Sequence, residues 1–169
     1  MPSTKTLLIV YHTHTGGTRQ MVHALREGAS SANEGGRLAV HLLHASEADT
    51  TDLLQADGYV FATPENLAAM SGMLKDFFDR SYYGALDHLE GRPYATLICA
   101  GSDGSNAARQ IARIATGWRL KAVAEPLIAC THAQTPEAIA APKQLQPATL
   151  AACHELGAAM ASGLLMGIF

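Results

Sequence analysis

Charge is scarce in this chain. Only 16% of its 169 residues are charged, the net charge is −3, and the basic residues are scattered without a run. A nucleic acid or an anionic membrane needs a concentrated positive footprint, so neither is an expected partner. Cysteine is scarce too. Cys99, Cys130 and Cys153 sit in apolar surroundings and form no CxxC pair, which reads as three buried, reduced thiols in a cytoplasmic protein. Long hydrophobic runs are missing. The stretch "MPSTKTLLIVY" is too short for a signal peptide, and the apolar "LGAAMASGLLMGIF" falls short of the roughly 20 residues that span a bilayer. It is expected to finish a packed helix or to meet a second subunit. Several signature motifs are absent as well. There is no Gly-Lys-Ser/Thr, no GxGxxG, no acidic residue closing the second strand and no GxSxG. Those absences exclude an NTPase P-loop, a dinucleotide fingerprint and a serine-hydrolase elbow.

What remains is a core-forming sequence, 48% hydrophobic, long enough for one domain spanning 1–169. Short apolar runs alternate with helical periods. Strands are expected over 6–12, 37–44, 57–63 (stopped by Pro64), 92–101 and 121–131, the last in two pieces around Pro126. Helices are expected from Thr18, from Thr51 or Asp52, over 70–83, over 105–118 and over 147–165, where Pro147 suits a first turn. The strands are apolar on both faces, as buried parallel strands are when helices cover both sides. Right-handed crossovers of this length give a three-layer α/β sandwich around a five-stranded parallel sheet of order 2-1-3-4-5. In that order the chain reverses between strands 1 and 3, and ligands bind at the carboxyl ends of the strands beside that reversal.

Three loops should meet there: "THTGGT" (13–18), "TPENLAAMSG" (63–72) and "AGSDGSN" (100–106). The first joins a strand to a helix N-terminus, where the leading N–H groups have no intrahelical partner and the macrodipole is positive. Thr13, Thr15 and Thr18 add hydroxyls, and Gly16 and Gly17 let the backbone approach closely. One threonine and one glycine would serve a plain helix cap. Three hydroxyls and two glycines point to a phosphate nest. His12 and His14 form an HxH pair with no third ligand in view, so a metal is not expected. Arg19 can pair with the phosphate or face solvent. Asp103 can bind a ligand or cap the next helix, Glu65 can hydrogen-bond within its own turn, and His132 follows strand 5 on the same edge of the sheet.

The spacing Thr-x-Thr-Gly-x-Thr resembles the phosphate loop of the flavodoxin-like superfamily, which binds FMN. "ATPENLAAMSGMLKDFFDR" resembles the flavin-bordering segment of NAD(P)H-dependent FMN reductases and of tryptophan-repressor-binding-type quinone reductases. The resemblance covers about residues 6–165. It implies a flavodoxin-like fold in which Thr13, His14, Thr15, Gly16, Gly17 and Thr18 hold the FMN phosphate. Thr63, Pro64, Glu65, Asn66, Leu67 and Ala68 would border the isoalloxazine, and Gly101, Ser102, Asp103 and Gly104 would close its other side. The FMN reductase loop commonly carries an aromatic that is missing here, so stacking falls to Leu67, Met70 or a partner subunit. The resemblance implies an FMN-dependent oxidoreductase that takes reducing equivalents from NADH or NADPH and gives them to a quinone, a flavin or a similar small acceptor. The flavin carries that chemistry, so no side chain is assigned as acid or base. A homodimer or homotetramer is implied. Two other functions fit less well: a flavodoxin-type electron carrier, which would be more acidic and would guard its flavin with aromatics, and an interaction module that has lost FMN.

Overall fold

The structure, a computed structural model, describes residues 3–169. The chain alternates strand and helix: β1 (Lys5–Tyr11), α1 (Gly17–Ser31), β2 (Leu38–His44), α2 (Thr50–Gln55), β3 (Gly58–Asn66), β4 (Ala69–Met70), α3 (Gly72–Ala85), β5 (Pro93–Ala100), α4 (Ser105–Gly117), β6 (Lys121–Ala122), β7 (Leu127–Cys130), α5 (Pro136–Ala140) and α6 (Pro147–Met166). The parallel sheet runs β2-β1-β3-β5, and the last position is shared. β6 pairs the start of β5 and β7 pairs its end, at Leu97↔Leu127 through Ala100↔Cys130. This is the expected 2-1-3-4-5 order of the flavodoxin-like fold, with the fifth strand split around Pro126, which has no N–H to give the ladder.

Alternation along each strand feeds two cores. Leu7 and Ile9 of β1 pack with Met21, Leu25 and Met160 of α1 and α6. Leu8 and Val10 pack on the other face with Leu53, Phe77 and Ile111 of α2–α4. The second core is the aromatic one. Phe61 lies edge-on to Phe78 at 5.2 Å, and Trp118 stacks on Tyr82 at 5.6 Å while its indole N–H donates to the Tyr82 carbonyl. α1 and α6 cross so closely at Gly28 and Gly157 that a Cβ on either would collide with the carbonyl oxygen of His154 or Leu25. No helix among the described residues is long and apolar enough to cross a membrane.

Two expectations are corrected and one element is added. Pro64 does not end the third strand. β3 continues to Asn66 and turns back antiparallel into β4, with Glu65 opposite Met70. Pro64 sits beyond the stretch where β1 pairs, opposite Cys99 of β5, where its missing N–H costs little. Cys130 is exposed, because β7 is a short strand at the sheet margin; Cys99 and Cys153 are buried. The connection before α6 contains a short helix, α5, capped by the Thr135 hydroxyl with Pro136 in its first turn.

Candidate functional site

The carboxyl ends of β1, β3, β5 and β7 surround one cavity with about 470 Å³ of space continuous with solvent. Its floor is the first loop: Thr13, His14, Thr15, Gly17 and Thr18. Pro64, Glu65 and Asn66 form one wall, and Cys99, Ala100 and Gly101 the opposite one. Thr131, Ala133, Ile139 and Lys143, from the chain after β7, close the remaining side.

The first loop is shaped by its own hydrogen bonds. The Thr13 hydroxyl oxygen accepts from the N–H of Gly16 (3.1 Å) and, more weakly, of Arg19 (3.4 Å). With its lone pairs engaged, its O–H is left to donate outward. Gly16 caps α1 at φ +92°, a left-handed conformation that glycine adopts without strain. Gly17 follows with no space for a side chain, since a Cβ there would strike the Cys99 sulfur. Thr18 is 1% exposed, lines the cavity, and its hydroxyl has no hydrogen-bond partner. A buried hydroxyl left unsatisfied costs on the order of 1–3 kcal/mol. Here it faces a space beside first-turn N–H groups of α1 that have no intrahelical acceptor. Two hydroxyl donors, open N–H groups and the positive end of a 15-residue helix make a site for a group that only accepts hydrogen bonds and carries negative charge. The phosphate of FMN is such a group, and the residues present fit it.

The second wall is rigid for a reason the sequence did not disclose. The Glu65 carboxylate does not bond within its own turn. It reaches across to accept from the N–H groups of Gly104 (2.9 Å) and Ala107 (3.0 Å), capping α4. Asn106 donates from Nδ2 to the Ala68 carbonyl (2.6 Å), and Gln110 Oε1 accepts from the Met70 N–H (2.8 Å). The β3–β4 hairpin is thereby clamped to α4. At its tip Leu67 and Ala68 hold φ +51° and +61°, and Leu67 is wholly exposed. The buried Thr63 hydroxyl donates to the Pro64 carbonyl (2.8 Å) and accepts from the Ser71 N–H (3.0 Å), so it braces the turn from behind.

Of the residues expected at the site, Thr13, His14, Thr15, Gly17, Thr18, Pro64, Glu65, Asn66 and Gly101 line the cavity together. Gly16 lines a shallower hollow beside it with Arg19. Thr63, Leu67, Ala68, Ser102, Asp103 and Gly104 stand outside its lining. Asp103 accepts from the Ser105 N–H (3.1 Å), and bonds from Ser105, with Arg109 adding, hold its carboxyl below the usual carboxylate range. His12 places a buried Nδ1 without a partner and meets His44 edge-on at 5.5 Å. Burial, then the neighbouring His44 and His14, lowers its pKa and favours the neutral ring. His132 takes φ +58° and gives its backbone N–H to Gly101 (2.7 Å). Sequence reasoning missed Cys99, Thr131, Ala133, Ile139 and Lys143. Cys99 and Thr131 were legible, because they lie at the carboxyl ends of β5 and β7, one residue before and one residue after the last strand residue. Thr135-Pro136 was a helix-start signal for the segment carrying Ile139 and Lys143. Burial pushes the Cys99 thiol up, the nearby Lys143 ammonium pulling the other way.

Comparison with known proteins matches residues 44–135 to the NADPH-dependent FMN reductase family model. That span includes the second and third loops and leaves out the first. A flavodoxin from Aquifex aeolicus (strain VF5) is 38% identical over 96 residues, which cover 57% of this chain and 48% of that relative. The chain thus spans about half the length of that curated relative. Among solved structures, a flavodoxin from the domain Archaea superposes with a TM-score of 0.72 at 17% identity, covering 95% of this chain and 99% of its own. A WrbA-like flavodoxin from Agrobacterium tumefaciens gives 0.71 at 17% identity over 96% and 98%. At those identities the superpositions establish the fold.

Proposed function

The chain belongs to the NADPH-dependent FMN reductase family, and from that premise we propose that it is an FMN-dependent oxidoreductase passing reducing equivalents from NADH or NADPH to a small acceptor such as a quinone or a flavin. The observation that carries the reading is the partnerless, buried Thr18 hydroxyl facing a cavity at the N-terminus of α1. When bound, FMN would supply the redox chemistry for moving two electrons from a reduced nicotinamide to a second molecule.

The residues around it bind, orient and exclude water. Thr13, Thr15 and Thr18 would hold the phosphate by their hydroxyls, and the first turn of α1 would add an anion preference of about 0.3–1 kcal/mol, rising to ~2 in partly buried geometry. Pro64 to Asn66 and Ala100 to Gly101, which line the cavity, would border the ring. Glu65 is not a proton carrier in this reading, because its two oxygens are committed to the N–H groups of α4. It is a positioning residue that keeps the two walls at fixed separation. No side chain is assigned as acid or base. The reading also places the protein in the cytoplasm as a homodimer or homotetramer. The exposed Met166 and Ile168 near the C-terminus are available for such a contact, and sedimentation showing a monomer at micromolar concentration would remove the assembly from the proposal.

The test is anaerobic mixing of the FMN-loaded protein with NADH or NADPH while the flavin absorption band is followed. Bleaching within seconds supports the reductase, and assays over quinone, flavin and azo-dye acceptors then define its substrate. A competing reading, an electron carrier, draws on the likeness to the Aquifex flavodoxin. A flavin band that persists with either nicotinamide, yet bleaches with a chemical reductant, would favour it over the reductase.

A further inference from the structure

The segment between β7 and α6 crosses back over the first loop and is fastened there by backbone. The Lys143 N–H donates to the Thr15 carbonyl at 2.9 Å. Gln20 bridges both sides, its Nε2 donating to the Lys143 carbonyl (2.7 Å) and its Oε1 accepting from the Leu145 N–H (3.1 Å). The Lys143 Cβ stands 3.6 Å from where a Cβ of Gly17 would be. Lys143 is also the one lysine or arginine in the cavity lining. Its ammonium does not touch the first loop. It donates to the carbonyls of Ala138 (2.9 Å), Ile139 (2.8 Å) and Ala141 (2.6 Å), at the end of the five-residue α5.

We infer that Lys143 is the charged recognition group for the phosphomonoester held by the first loop, its ammonium exchanging carbonyls of α5 for phosphate oxygens. The inference rests on the FMN reading above. Three features carry it. The anchors that fix this segment are backbone and Gln20 bonds, so the lysine side chain can turn without displacing them. Its present partners are neutral carbonyls, whereas a phosphate oxygen carries the opposite charge and adds Coulombic attraction to the hydrogen bond. Ile139 and Ala141 are exposed, so water can satisfy the carbonyls that are released. The one acid in the lining among the described residues, Glu65, is tied to α4 and does not compete for the ammonium. Lys143 then selects for the phosphorylated flavin: riboflavin, which has no phosphate, gains nothing from it.

The test compares FMN and riboflavin binding, by quenching of flavin fluorescence, to the wild type, Lys143→Met and Lys143→Arg. The expected result is an FMN dissociation constant raised at least tenfold in Lys143→Met. The riboflavin constant should change by less than threefold, and arginine should restore most of the preference. Partial unfolding would weaken both ligands together, so the ratio of the two constants reads the phosphate contact alone. An unchanged ratio in Lys143→Met overturns the inference and leaves the lysine as a cap on α5. Wild-type protein that binds neither flavin overturns the FMN reading itself. If Lys143→Met does not fold, the wild type with ¹³C-dimethylated lysines decides. A Lys143 methyl resonance, assigned by its loss in Lys143→Arg, should shift with FMN and stay with riboflavin; equal response to both refutes the inference.

Discussion

Replacing Ala68 by glycine should make this protein more stable, against the usual effect of that change. Leu67 and Ala68 form a two-residue hairpin turn with both residues left-handed, at φ +51° and +61°. Such a turn ordinarily takes asparagine and glycine. A non-glycine residue in that region costs roughly 1–2 kcal/mol. The Ala68 methyl recovers little of it, because Ala68 is exposed. The bonds that hold the hairpin to α4 go through the Ala68 carbonyl, the Met70 N–H and the Glu65 carboxylate, none of which the substitution removes. Glycine would relieve the strain and return about 0.4–1 kcal/mol through the greater freedom of the unfolded chain. The net gain is then about 0.5–1 kcal/mol, a rise of about 1–4 °C in Tm for a chain of this size. The control is Ala151→Gly, also an exposed alanine but in the regular helix α6, where glycine should cost about 1 kcal/mol. Thermal melts by circular dichroism, supported by urea titration, read both. Opposite signs support the argument. A lower Tm for Ala68→Gly would show that the turn is not strained as described.

Other expectations can be checked on the same material. Gly157→Ala should lower stability by about 1–3 kcal/mol or more, because its methyl meets the Leu25 carbonyl across the α1–α6 crossing and backbone must move to admit it; urea unfolding measures it. His12 has a folded-state pKa below its ordinary 6.5, so the unfolded chain binds that proton first. Its destabilising contribution should therefore be absent above about pH 7 and grow as pH falls through 6.5 until the folded ring also protonates. His12→Gln should flatten that part of the stability–pH curve, and a curve parallel to wild type would refute it. In the folded protein a maleimide should label Cys130 quickly and leave Cys99 and Cys153 unmodified, since both are buried and burial raises both thiols, Cys153 to about 11. Mass spectrometry before and after denaturation counts the labels.

The layered architecture was legible because its signal is periodic. Runs such as "TLLIVYH" and "RLAVHLLH", short and alternating with helical periods, read as strands, the first buried as β1 and the second half-exposed as the edge strand β2, and Pro126 marked the break in the last one. The place of the first loop at the cavity was legible because a strand end followed by hydroxyls and paired glycines sets a helix N-terminus at the carboxyl edge of the sheet. The second loop misled. A proline reads as a strand stop, and a hairpin whose turn is Leu67-Ala68 carries none of the asparagine or glycine that would announce it. What holds that turn is Glu65, Asn106 and Gln110, contacts between residues about 40 apart, and no local pattern encodes them. Lys143 was hidden for the same reason. It reaches the site because the Thr15 carbonyl and Gln20, more than a hundred positions earlier, tie its backbone across the first loop.

The central claim is that the hydroxyl-lined cavity at the head of α1 binds the phosphate of a flavin nucleotide. Titrating FMN against cofactor-free wild-type protein and against Thr18→Val, by fluorescence quenching, addresses it directly. Saturable one-to-one binding by the wild type, weakened roughly tenfold or more by the near-isosteric loss of one phosphate-facing hydroxyl, is the predicted result. No saturable quenching by the wild type at micromolar FMN, or equal affinity for both proteins, would contradict it.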